Sequence, residues 1–182
     1  MHTFRAYVVA TVFCCIQPFS GAASADVYDD YAAASSAVQT AHDSWQYEEN
    51  FWTTLAGLFD NRPNGSFVGE DVDGISDEDA SLYLELWRDA LYWNVGAIGD
   101  SDMENSCINM ASADLEQALQ SLSSGDPMGE MFASIYIADA YSQLDSAANA
   151  HGEFVYSLGV VSNDFGGIDA ILRKYNWFFN ND

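Results

Sequence analysis

Two polar residues interrupt otherwise apolar helical stripes, and they are the best candidates for chemistry in this sequence. Glu48 lies between Trp45 and Trp52 in one stripe, and His151 lies in a second stripe further along the chain. Burial disfavours the ionised form of a carboxyl group, and such groups can hold a ligand or transfer a proton. The structural alternative is that neither residue has a chemical role. Glu48 would then accept a hydrogen bond from a neighbouring Trp or Tyr side chain, and His151 would be a hydrogen-bonded histidine of the core.

A shared site for Glu48 and His151 is disfavoured by their expected heights in the fold. If their helices are antiparallel neighbours with aligned ends, Glu48 lies roughly 30 Å up the bundle and His151 roughly 12 Å. A di-iron site would need Glu-x-x-His pairs, and neither His42 nor His151 has a glutamate three residues earlier. The sequence also has no nucleophile elbow, phosphate loop or haem-attachment motif. We therefore expect a non-catalytic protein.

An acidic loop over residues 70–79 is the most suggestive local motif. Ca²⁺ prefers several carboxylate oxygens on a flexible turn. Three residues could supply them: Asp71, Asp73 and Asp77. Aligning Gly74 with the glycine of an EF-hand loop, however, puts Gly69 and Ala80 at the two positions that need acidic residues. The sequence leaves two interpretations open, a Ca²⁺ site and an exposed acidic linker that precedes a helix.

Residues 1–25 have the features of a signal peptide. Arg5 precedes an apolar run of about ten residues, and the small residues 23–25 fit a signal peptidase site. The run is shorter than the roughly 20 residues of a membrane-spanning helix. We expect a secreted, extracellular protein whose mature form is a single acidic domain, residues 26–182, without a membrane anchor.

The charge of the chain restricts its partners. It carries 28 acidic residues against 5 basic ones, a formal net charge of −23, and loss of Arg5 would make it one unit more negative. Nucleic acids and anionic membranes are bound through Lys and Arg, so we expect neither as a partner. A hydrophobic fraction of 49% supports a folded core. The acidity fits a basic partner, or a solvated surface that keeps the protein soluble.

Cysteine usage and one sequon add two candidate modification sites. Cys14 and Cys15 fall in the signal peptide, so Cys107 is alone in the mature chain and cannot form an intramolecular disulfide. It is either a buried small hydrophobe or a candidate for an intermolecular disulfide. Asn64 begins an Asn-Gly-Ser sequon in a predicted surface turn, where a eukaryotic secreted protein would be glycosylated.

Apolar residues at alternating spacings of four and three predict an all-α protein. Helices are expected over residues 27–59, 77–98, 102–122, 127–158 and 165–179. The predicted architecture is an antiparallel bundle of four long helices with a short C-terminal amphipathic helix.

Two functions are compatible with such a bundle. The first is extracellular interaction, with a protein partner or with a second copy of the chain. The alternative is a carrier that holds an apolar ligand, such as a lipid, between its helices. The residues expected to line that ligand site are Trp45, Glu48, Trp52, Trp87, Trp93 and His151. No cofactor is expected beyond the Ca²⁺ candidate.

Overall fold

The described part of the chain is almost entirely helical. A computed structural model describes residues 26–180, except for the side chains of residues 48–50, 52–54 and 179–180, and it has no β-strand there. The helices are α1 (Val27–Asp60), α2 (Val68–Asp71), α3 (Asp77–Leu122), α4 (Pro127–Lys174) and α5 (Trp177–Asn180). The predicted signal peptide lies outside the described residues.

Three long helices replace the four that the sequence predicts, because α3 continues through Gly96 and Gly99 and through the break expected between residues 98 and 102. A glycine inside a helix costs about 1 kcal/mol relative to alanine. The buried side chains of Ala97, Ser101 and Glu104 continue the inward-facing stripe across the break. Packing against α4 therefore keeps the segment helical.

The C-terminal amphipathic helix predicted over residues 165–179 is mostly the last part of α4. Gly159 was expected to end the preceding helix, but the inward stripe continues through Val161, Phe165 and Ile168. The chain leaves helical geometry only at Asn176, which has a positive φ of 55°. Asparagine tolerates this left-handed conformation better than most residues.

Helices α3 and α4 form an antiparallel pair with a constant register. Their buried residues recur at spacings of four and three, which is the pattern of a coiled coil. A contact between Glu104 and His151 fixes the register in the middle of the pair. The same register places Leu122 opposite Ala133 beside the connecting turn, and each of these residues is buried in the core there.

Helix α1 runs parallel to α4 and therefore antiparallel to α3. The ring of Phe59 packs edge-on against Phe165 with 4.8 Å between the ring centroids. At the other end of α1, Ala34 is buried in the same cluster as Ala140, which is again 106 residues later in the chain. This parallel register places Trp45 level with His151.

The helix starts follow the capping signals in the sequence. Ser76 caps α3, and its Oγ accepts a hydrogen bond of 3.2 Å from the backbone N–H of Asp79. Asp126 caps α4 and accepts from the N–H groups of Met128 and Gly129, with Pro127 in the first turn. The hydrogen bond from Gly129 contributes most to holding the pKa of Asp126 below its ordinary value.

The apolar core is divided into two clusters. The turn-end cluster is built around residues 107–122 and 133–147 with the first half of α1, and the loop-end cluster around residues 83–90 and 161–172 with the end of α1. Buried residues between them belong to neither cluster: Ala97, Ser101, Glu104, Ala150, Phe154 and Ser157. Half of these six side chains are polar, so the middle of the core differs chemically from its two ends.

Polar side chains tie the segment after α1 to the C-terminal half of α4. Arg62 donates from Nε and Nη2 to the two carboxylate oxygens of Asp169, at 2.6 and 3.0 Å. The hydroxyl of Tyr83 donates to the carbonyl of Pro63 at 2.8 Å, which allows this tyrosine to be fully buried. These bonds fix the position of the loop that follows α1.

Candidate functional site

The middle of the core contains a layer of polar side chains, Trp45, Glu104 and His151, which we call the polar layer. Glu104 has no solvent exposure, and its Oε2 lies 3.4 Å from Nδ1 of His151. Neither carboxylate oxygen makes a hydrogen bond to another described residue. A buried carboxylate in this position needs a nearby positive charge or a proton of its own.

Trp45 belongs to the polar layer through the parallel register of α1 and α4. Its indole packs against the turn-end cluster, and its Nε1 is buried without an acceptor among the described residues. An indole N–H normally finds a partner when it is buried. The layer thus contains a buried donor, the indole N–H of Trp45, and a buried carboxyl group, that of Glu104, neither of which makes a described hydrogen bond.

The backbones of Glu48 and His151 lie closer together along the bundle axis than the sequence analysis predicts. The estimate assumed that α1 and α4 are antiparallel, whereas they are parallel. Position 48 is level with Phe154, about 4.5 Å along the axis from His151. The side chain of Glu48 lies outside the described residues.

The tryptophans predicted to line an apolar ligand site are divided between the two core clusters. Trp87 is buried in the loop-end cluster, and Trp93 is partly buried and packs against the same cluster. The ring of Trp93 also packs edge-on against Tyr92 and Tyr156, with centroids 5.5 Å apart in both pairs. Trp45 packs instead against the turn-end cluster, where the register places it level with His151. The side chain of Trp52 lies outside the described residues.

The acidic loop is exposed at the end of the molecule where α3 begins. Asp71 ends α2 and Asp77 begins α3, with Asp73 between them, and all three side chains are exposed. Val68 and Val72 anchor the loop by burying their side chains. Within the described residues, no group of three or more His, Cys, Asp or Glu side chains is arranged to hold a metal ion.

The two candidate modification sites differ in accessibility. Asn64 is exposed, and its Oδ1 accepts a 2.9 Å hydrogen bond from the backbone N–H of Ser66. Cys107 is a free thiol and is buried. An intermolecular disulfide would therefore require α3 to be uncovered first.

An exposed apolar face covers the first two turns of α4 and is called the tip face here. Its members are Met128, Met131, Phe132 and Ile135, each between 45% and 64% exposed. They follow the spacing i, i+3, i+4, i+7, so they form one continuous strip on the outer side of the helix. The inner side of the same turns is buried through Ala133 and Ile137. This segment is therefore apolar on two opposite sides.

Sequence reasoning missed Glu104 as a partner of His151. The predicted break near Gly99 separated Glu104 from the stripe to which it belongs. One signal was present: Ala97, Ser101, Glu104 and Ile108 continue the spacing of four and three without interruption.

Among the described helices, none has a stretch of sufficient length and apolar character to cross a membrane. No protein-family model, curated protein or solved structure shows significant similarity to this chain.

Proposed function

We propose that this chain is a secreted, non-catalytic protein that acts outside the cell by associating with a second copy of itself through the tip face. The signal-peptide features of residues 1–25 support export. The single observation that carries the association is the strip of four exposed apolar side chains on a helix whose opposite side is already buried. Contiguous exposed apolar surface of this kind is typical of interaction sites.

The distribution of charge favours contact between two copies at the tip face rather than at other parts of the surface. The chain has a formal net charge of −23, so most of its surface repels another copy. Between Pro127 and Ala138, however, Glu130 is the only charged residue. The tip face also lies near one end of the molecule, since α4 begins there. Contact between two tip faces therefore keeps the remaining acidic surfaces apart.

The expected dimer is weak. Four side chains cover roughly 300–400 Å² per copy, whereas a stable interface buries about 800 Å² per partner. Association should strengthen with added salt, because salt screens the repulsion between the two acidic molecules. Methionine suits such an adaptable contact, since its side chain is flexible and polarizable.

Sedimentation velocity on residues 26–182 over a concentration series tests this function. We expect the mean mass to rise with concentration for the wild type and to remain monomeric for Ile135→Asp. Val95→Asp is the matched control, because Val95 is also exposed on a long helix but lies outside the tip face. A wild type that remains monomeric at millimolar concentration in high salt would refute the proposal, as would equal loss of association in both variants.

A further inference from the structure

A cleft of about 670 Å³ opens at the end of the molecule opposite the tip face. It lies between the end of α1, the segment that follows it, Asp71 of α2, and the two aromatic residues Trp177 and Phe178 of α5. Its volume is in the range of small-molecule sites. The cleft is distinct from both the polar layer and the tip face.

Among the described residues that line the cleft, the basic one has its charge compensated. Arg62 donates from two nitrogens to Asp169, and its Nη1 donates to the carbonyl of Leu58 at 2.8 Å. Its guanidinium also lies over the ring of Phe165, 5.0 Å from the centroid. With these donors engaged and the side chain only 11% exposed, Arg62 has little capacity to bind an anion in the cleft.

Two exposed carboxylates remain and make the cleft electronegative. Asp60 and Asp71 both line it, and neither forms an ion pair with another described residue. Asp60 is also the last residue of α1, whose final turn contains no basic residue. A negative charge at the negative end of a helix dipole is unfavourable, and a bound cation would relieve it.

Two aromatic side chains line the cleft on its α5 side. The rings of Trp177 and Phe178 pack edge-to-face, with 5.3 Å between their centroids and an angle of 79° between their planes. Aromatic faces attract ammonium and guanidinium groups, and aromatic cages bind quaternary ammonium ligands. An inorganic ion would need more oxygen ligands, and the described residues contain no cluster of metal-ligating side chains.

We propose that this cleft binds a small organic cation of the substituted-ammonium class. Asp60 and Asp71 supply the opposite charge, and Trp177 and Phe178 contact the apolar substituents around the nitrogen. This site is independent of the self-association proposed for the tip face, because the two lie at opposite ends of α4.

Choline is the probe for this site, and isothermal titration calorimetry on residues 26–182 at fixed ionic strength is the measurement. We expect choline to bind and its neutral isostere 3,3-dimethyl-1-butanol not to bind. Asp60→Asn and Asp71→Asn should each weaken choline binding by about fivefold or more. Asp73→Asn is the matched control, because Asp73 is exposed in the same acidic loop but does not line the cleft.

We expect these variants to remain folded, so a loss of choline binding cannot be attributed to unfolding. Asp60 and Asp71 are exposed, and removing the charge of Asp60 relieves the end of α1, so thermal stability should be retained or raised. Absence of choline binding at 10 mM, equal binding of the neutral isostere, or unchanged binding in both cleft variants would each overturn the proposal. Sedimentation of the same variants should match the wild type, so failure here is distinguishable from failure of self-association.

Discussion

Removing the imidazole of His151 should destabilise the protein more than removing the carboxylate of Glu104. His151→Leu leaves a fully buried carboxylate without the imidazole that lies 3.4 Å from it, whereas Glu104→Leu removes the buried carboxylate itself. At this distance and an effective dielectric constant of about 20, a protonated imidazole would attract the carboxylate by about 5 kcal/mol. Breaking a buried pair on one side costs about 3–5 kcal/mol in practice. We expect a loss in that range for His151→Leu and about 1–3 kcal/mol for Glu104→Leu.

The double variant provides the decisive comparison. Glu104→Leu/His151→Leu replaces the pair with two apolar side chains that continue the coiled-coil stripe, and such replacements are often neutral or stabilising by about 1–4 kcal/mol. Urea denaturation at pH 7, followed by circular dichroism at 222 nm, measures all three free energies of unfolding. Asn149→Leu, at an exposed position on the same helix, is the control and should change stability by less than about 0.5 kcal/mol.

Two results would contradict this reasoning. The first is an equal cost for the two single variants, and the second is a double variant no more stable than His151→Leu.

Three other outcomes follow from the packing and the electrostatics. A Cβ at Gly65 would lie 2.6 Å from Cγ of the buried Trp87. Gly65→Ala should therefore lower the unfolding free energy by about 1–3 kcal/mol; a neutral result would contradict this close contact. A Cβ at Gly152 would meet no atom within 4 Å, so Gly152→Ala should stabilise α4 by about 0.5–1 kcal/mol in the same urea denaturation experiment. Burial, and then a neighbouring aspartate, raises the pKa values of Asp114 and Asp164 above 3.8. The folded state therefore binds these protons more tightly, so stability should rise as the pH falls from neutrality through the raised pKa values and level off below 3.8. Asn substitutions at both positions should flatten this rise, and an unchanged pH profile would contradict the assignment.

The helical class and the first helix could be predicted from the sequence because their signals are local. The heptad stripe of α1, the Ser76 cap and the Asp126–Pro127 start each depend on residues within a few positions of one another. The structure places helix starts at these signals. Local chemistry was sufficient for these elements.

The residue that begins the inner face of α3 is not evident from hydrophobicity alone. Leu82, Leu91 and Tyr92 are exposed, whereas Tyr83 is fully buried. A tyrosine can be buried here because its hydroxyl reaches the carbonyl of Pro63, a contact across the loop that spacing along the helix does not reveal. Burial also raises the pKa of this hydroxyl above its ordinary value.

The candidate sites were less predictable because they depend on helix direction. The sequence does not determine whether α1 is parallel or antiparallel to α4, and that choice decides which residues share a layer with His151. The cleft depends on the same arrangement, since it joins the end of α1 to α5 through residues far apart in the chain. Pairing of distant elements, rather than local propensity, was the missing information.

The constant register of α3 and α4 determines the order in which the chain can fold. The α3 and α4 residues that pack together beside the turn at Asp126 are close in sequence. Once they are in contact, the next pair of residues along the two helices can meet by closing only a slightly larger loop. Helix α1 reaches α4 across 106 residues, from Phe59 to Phe165, but Phe59 also packs against Trp87 of α3 only 28 residues away. The α3–α4 hairpin should therefore close progressively from its turn, and the contacts between α1 and α4, which span the most sequence, should form last.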